Sequence, residues 1–175
     1  MIRPAETSDE DALTRIEQET ASLEVSPILF PPRPFFENAR PEEVLVAVLE
    51  DDVAGFICLR PATRFASNAH VLMIAGLGVT PRAQRQGVAS ALLEAAETYA
   101  ISRKIERLTL RVLSVNAAAR ALYERHGYQI EGELRGEFRL AVGPGGAVVE
   151  VDDVLMAKAL DAFSPQPGEA TSTDP

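Results

Sequence analysis

Two spacings of apolar residues partition this chain into helices and strands. Leu13, Ile16, Thr20 and Leu23 recur at helical steps behind Thr7-Ser8-Asp9-Glu10, where Thr7 and Glu10 can cap one another's backbone N–H groups. Residues 26–41 hold five prolines around Phe30, Phe35 and Phe36 and must be largely irregular, because proline fixes its backbone angle and supplies no N–H. Val44–Leu49 and residues 53–59 are nearly unbroken apolar runs rich in β-branched side chains, joined at Asp51-Asp52. They predict a hairpin of strands buried on both faces. Val71–Val79 predicts another apolar strand, and Gly76 and Gly78 near its end mark a bulge or a close approach by a ligand.

From Gly87 the spacing changes to 3.6, with Val88, Leu92, Ala95, Ala96 and Tyr99 on one side of a helix reaching about residue 101. Residues 107–112 alternate, setting Leu108, Leu110 and Val112 opposite Arg107, Thr109 and Arg111. A further helix runs from near Asn116 to the stop at Gly127, and strands at 129–142 and 148–160 flank the turn Gly143-Pro144-Gly145-Gly146. The order β, α, irregular, β, β, β, α, β, α, β, β predicts an α+β layered fold on a mixed sheet, in one domain over residues 1–162. Residues 163–175 are small, polar and proline-containing, and are expected to be disordered.

Composition narrows the function. The chain has 175 residues and a net charge of −9, from 26 acidic and 17 basic side chains, which argues against nucleic-acid binding and against anionic membranes. Cys58 is the only cysteine, and with only His70 and His126 beside it no metal set of ordinary spacing is expected. The acidic start lacks the pattern of a signal peptide, and the chain is expected to be cytoplasmic. The charge is uneven. Within residues 80–140 basic side chains outnumber acidic ones ten to seven, so the acid excess lies elsewhere and is expected to steer cationic amines by long-range attraction.

Chemistry concentrates in two segments. Gly76-Leu77-Gly78-Val79 leads into a helix opening at Gln84-x-x-Gly87-x-Ala89, where small residues let the first-turn N–H groups and the positive helix end face an anion such as a diphosphate. The segment lacks both the P-loop pattern and the dinucleotide Gly-x-Gly-x-x-Gly pattern. Some thirty residues on stands Asn116-x-x-Ala119-Arg120-x-Leu122-Tyr123-x-x-x-Gly127-Tyr128. In this order and at this separation the two segments resemble the Gcn5-related N-acetyltransferase superfamily.

That resemblance implies a mostly antiparallel central sheet flanked by helices, and acetyl-CoA as cosubstrate without a metal. It implies that Leu77, Gly78 and Val79 offer backbone groups to the pantetheine arm, and that Arg85, Gln86, Gly87, Val88, Ala89 and Ser90 hold the pyrophosphate. Asn116 would reach the arm, and Tyr123 would be the general acid for the departing thiolate; Asn116 also suits a helix N-cap. Relatives that acetylate ribosomal-protein N-termini carry a glutamate five residues before the motif's asparagine, where this chain has Arg111. Val71–Val79 has no acid either, which leaves Asp152, Asp153, Glu24 and Glu37 as candidate bases. The expected activity is transfer of acetyl to a primary amine of a small molecule, with an amino acid favoured by Arg111. Acetylation of a protein N-terminus or lysine and a non-catalytic acyl-CoA sensor are the alternatives. A homodimer is compatible with the resemblance.

Overall fold

Apolar runs wet on neither face require cover on both, and the computed structural model supplies it with helices on the two sides of one sheet. It describes residues 1–29 and 31–160, so Phe30 and the expected tail at 163–175 lie outside the described residues. In chain order the elements are β1 (Ile2–Pro4), α1 (Glu10–Thr20), β2 (Val44–Leu49), β3 (Asp52–Pro61), β4 (Val71–Val79), α2 (Val88–Ser102), β5 (Arg107–Leu113), α3 (Ala117–Arg125), β6 (Gln129–Leu140) and β7 (Val149–Ala159). The seven strands run β1-β2-β3-β4-β5-β7-β6, as the expected mixed, mostly antiparallel sheet. Only β4 and β5 are parallel, and α2 makes the crossover that such a pair needs.

Alternation along β2 and β3 sorts the core. Val44, Val46, Phe56 and Cys58 face α1 with Leu13, Ile16 and Phe35, whereas Leu45, Ala47, Ile57 and Leu59 face α2 with Leu92, Leu93 and Ala96. Each fully buried leucine or isoleucine contributes roughly 1.5–3 kcal/mol. The hairpin turn falls at Glu50 and Asp51, both with positive φ, one residue earlier than Asp51-Asp52. Leu23 lies beyond the end of α1 and packs with Leu113, Leu140 and Val151 in a separate cluster. The outer strand β6 is mostly exposed and breaks register with β7 twice, at Ile130/Gly132 and Leu134/Phe138. Among the described residues no helix is long and apolar enough to cross a membrane.

The cap before α1 differs from the Thr7–Glu10 expectation. Thr7–Asp9 form a short 3-10 turn, and Asp9 reaches back to accept from the Glu6 N–H at 2.8 Å. Asp9 also takes a two-pronged ion pair from Arg3, at 2.7 and 2.9 Å. Arg3 is the main cause holding this carboxyl below its ordinary value, and the Glu6 N–H acts in the same direction. A lowered folded-state value stabilises the protein above the unfolded value of about 3.9 and is lost as pH falls through the folded one. Asp9→Asn is therefore expected to lower stability by on the order of 2 kcal/mol at pH 7. In urea titrations the gap between the two proteins should close as the pH drops below about 4; a gap that persists in acid would assign the loss to something other than the charge.

Candidate active site

The parallel joint opens the site. β4 and β5 pair only from Val71 opposite Arg107 to Ile74 opposite Leu110, and beyond Ile74 the β5-facing edge of β4 has no strand beside it. The cause lies on the other side of β4, where its register with β3 shifts between Cys58 and Leu59 as the pairing passes from Gly76 to Ile74. Ala75 is left over as a bulge, which bends a strand and increases its twist. Gly78 keeps the bent strand close to its cover: a Cβ there would stand 2.8 Å from Phe56 Cε1 and 3.3 Å from Ile16 Cγ2.

The opening widens into a cleft of about 930 Å³ that passes from the α1 face to the α2 face. On the α2 face it is lined by Leu77, Val79, Asn116 and Tyr123, and by Arg85, Gly87, Val88, Ala89 and Ser90 of the loop and first turn of α2. Two of the expected site residues do not line it. Gly78 is turned under Phe56, and Gln86 is exposed with its amide donating to the Arg82 carbonyl at 2.7 Å.

The start of α2 is built for a ligand's acceptor atoms. Gly87 takes the N-cap position at φ 81°, where L side chains are strained, and no side chain caps the helix. The N–H groups of Val88, Ala89 and Ser90 thus have neither an intrahelical acceptor nor a capping oxygen. A Cβ on Gly87 would meet nothing within 4 Å, so this side of the turn is open space. Arg85, itself at φ 60°, adds a cation at the rim. His126 Nε2 lies 3.0 Å from Ser90 Oγ and ties the end of α3 to the first turn of α2.

Asn116 is the N-cap of α3, its Oδ1 accepting from the Ala119 N–H at 3.1 Å, which leaves its amide NH₂ toward the cleft. Tyr123 is buried against Tyr128, with ring centroids 5.8 Å apart, yet it borders the cleft. Burial penalises its phenolate and pushes its pKa up to about 12. Among the described residues nothing hydrogen-bonds its hydroxyl.

The α1 face of the cleft differs from the acidic surface expected from charge distribution. Among the described residues it is lined by Arg33, Arg60 and Arg111 with a single carboxylate, Glu17. Arg111 is half-exposed and anchored by Asp153, its Nε donating to Oδ2 at 2.5 Å. Of the candidate bases, Asp153 is committed to that pair and Asp152 accepts from the Gly136 N–H at 2.7 Å. None of Asp152, Asp153, Glu24 and Glu37 lines the cleft. Glu17 was missed by sequence reasoning, although its place directly after Ile16 and four residues after Leu13 puts it on the shoulder of the α1 stripe. Phe35 lines the cleft and stacks edge-on against Phe56 at 4.9 Å, so it serves both wall and core.

An uncapped helix start, a freed strand edge and an unpartnered phenol on one cleft define a site for an anionic, amide-bearing ligand beside a proton donor. Residues 11–128 match the family described as Acetyltransferase (GNAT) family, and the chain belongs to it. It is 31% identical over 138 residues to the L-amino acid N-acetyltransferase AaaT of Escherichia coli (strain K12), covering 75% of this chain and 84% of that protein. It is 34% identical over 86 residues to the uncharacterized N-acetyltransferase YhfO of Bacillus subtilis (strain 168), covering 49% of this chain and 58% of that relative's length. The fold superposes on the crystal structure of smu.2055 from Streptococcus mutans UA159 with a TM-score of 0.77 at 24% identity, covering 92% of this chain and 99% of that one.

Proposed function

We propose that this chain is an acetyl-CoA-dependent N-acetyltransferase whose acceptor is a primary amine on a small molecule that also bears a carboxylate, an amino acid being the simplest case. One observation carries the reading: the open first turn of α2, the unpaired edge of β4 and the Tyr123 hydroxyl all border the same cleft. These groups fit acetyl-CoA chemically, because a diphosphate needs clustered N–H donors, an amide-bearing arm needs a free strand edge, and a departing thiolate needs a proton. Family membership and the L-amino acid acceptor in the name of the relative AaaT support it.

When bound, acetyl-CoA supplies an acetyl group activated as a thioester. The N–H groups of Val88, Ala89 and Ser90, with Arg85, would hold its diphosphate. The β5-facing edge of β4 beyond Ile74 would hold the arm, with the Asn116 amide reaching in from α3. A backbone N–H near Val79 would meet negative charge developing on the thioester oxygen. Tyr123 would hold a proton at Oη for the departing sulfur, and its raised pKa keeps that proton in place throughout the neutral range. Arg111, fixed from behind by Asp153, would receive the acceptor's carboxylate as a charge-assisted pair.

The test is release of free thiol from acetyl-CoA across L-amino acids, their decarboxylated amines and peptides with free N-termini. Turnover is expected with amino acids and should be weaker with the matching amines. Tight CoA binding without turnover on any amine would replace this reading by a sensor. Gly87→Ala tests the cradle separately, since it places a methyl in the open space and strains a left-handed residue. It is expected to weaken CoA binding about tenfold by calorimetry, equivalent to ~1.4 kcal/mol. Unchanged affinity would place the diphosphate elsewhere.

A further inference from the structure

An amine reaches the cleft at neutral pH as an ammonium ion, and its nitrogen has no lone pair to attack with until a proton is removed. The strands bordering the opening provide no base, because β4 carries no acid and the cleft-facing charge of β5 is Arg111. Among the described residues lining the cleft, Glu17 is the only carboxylate.

Its position suits the task. Glu17 follows Ile16, whose Cγ2 lies 3.3 Å from where a Gly78 Cβ would stand, so this turn of α1 sits directly over β4. Glu17 also adds to the upward shift of the Cys58 thiol, which is caused mainly by burial. Cys58 stands opposite Gly76, one residue past the Ala75 bulge where β4 leaves β5. Glu17 itself lines the cleft, together with Cys58 and Gly76.

It is also uncommitted. Glu43 is paired with Arg40 and Arg60, Asp153 with Arg111, and Glu10 accepts from the Phe36 N–H, whereas the Glu17 carboxylate makes no hydrogen bond or ion pair with any described residue. The titratable groups that line the cleft with it on this side are Cys58 and Arg60 on β3, Arg111 on β5 and Arg33 before the turn at Phe35–Glu37, whose exposed Glu37 is off the cleft. β4 presents no ionisable group, and on α1 its neighbours at three and four residues, Leu13, Thr14, Thr20 and Ala21, are uncharged.

We propose that Glu17 is the catalytic base for the acceptor, its carboxylate binding the ammonium and taking one proton from the nitrogen. The inference rests on the acetyltransferase reading above. Proton removal leaves a lone pair that forms the N–C bond to the acetyl carbonyl carbon, while the C–S electrons depart with sulfur. Sulfur takes the proton held at Tyr123 Oη, and the second amine proton returns Tyr123 to its neutral form. Glu17 passes its proton to solvent, so each turnover yields one amide, one thiol and one proton. With Arg111 on the carboxylate and Glu17 on the ammonium, an α-amino acid would turn its side chain toward the exposed apolar residues Val25 and Ile28 of the same cleft.

Glu17→Gln, assayed with L-leucine and with 3-methylbutylamine as probes, tests this. Expected is a loss of ~10²-fold in kcat/KM, carried mainly by kcat, and partial rescue by Glu17→Asp. The dissociation constant of L-leucine, titrated by NMR in the presence of CoA, should rise, while CoA affinity and the thermal midpoint stay at wild-type values. Activity within threefold of wild type would overturn the role of Glu17 and leave the acetyltransferase reading standing. A loss matched by weaker CoA binding or a lower midpoint would mark a structural role and overturn it too. A wild-type protein that binds CoA yet acetylates neither probe would overturn both.

Discussion

Replacing Tyr123 by phenylalanine should reduce turnover by ~10²–10⁴-fold while leaving CoA affinity and stability almost unchanged. The substitution removes only the hydroxyl. The ring keeps its edge-on contact with Tyr128 and its burial beside the cleft, and no hydrogen bond to a described residue is lost. On the function proposed above, what would disappear is the proton held for the leaving sulfur. The separation between kcat and binding makes the result specific, because a residue that merely packed would move stability and spare the rate. The pH profile adds a second check: with the phenol pushed up to about 12, no basic limb from Tyr123 should appear below pH ~11 in the wild-type enzyme. A Tyr123→Phe enzyme with undiminished turnover would remove the general acid from the mechanism.

The largest stability effect is expected at Gly55, in the middle of β3. A Cβ there would stand 2.8 Å from the Gly78 carbonyl oxygen, 3.1 Å from Val79 Cγ2 and 3.3 Å from Leu92 Cδ1. The first neighbour is backbone and cannot rotate away, and the other two belong to the strand and helix that frame the cleft. Gly55→Ala should therefore cost ~1–3 kcal/mol, as crowding of a packed core does, and Gly55→Val more. For a protein of this size that corresponds to a fall in Tm of about 2–4 °C per kcal/mol, readable by calorimetry. Because relief requires β4 or α2 to back away, CoA binding should weaken in parallel. A Tm equal to wild type would mean that the β3/β4 ladder parts freely at this point.

Much of this architecture was legible in local sequence. The runs at Val44–Leu49 and Val71–Val79 are strands, and the change of spacing after Gly87 marks α2. Gly87 sits at the N-cap with positive φ because the turn demands it, and Asn116 caps α3 as its residue type suggests. What stayed hidden depends on pieces distant in sequence. Arg111 and Asp153 meet only through the register of β5 on β7, and no local pattern sets that register. Glu17 became a site residue because α1 crosses β3 and β4 where Ala75 bulges, a matter of packing angle that helical spacing does not contain. Summed charge misled for the same reason: an acidic chain still lines the α1 face of its cleft mostly with arginine, since net charge counts residues wherever they face. The Thr7–Glu10 cap gave way to Asp9 because Arg3 on β1 holds that carboxylate from a separate strand.

The short joint between β4 and β5 also bears on how the molecule holds together mechanically. From β2 to β4 and from β5 to β6 the sheet is laced by long antiparallel ladders, but the two platforms are paired with each other only from Val71 to Ile74 on one side and from Arg107 to Leu110 on the other. Such a seam is a compliant line between the two platforms, because parting them there breaks few backbone hydrogen bonds. A ligand gripped at once by β4 and α2 on one platform and by α3 on the other acts as a tie bar across it. It would add stiffness at that joint and stabilise the fold by RT ln(1 + [L]/Kd).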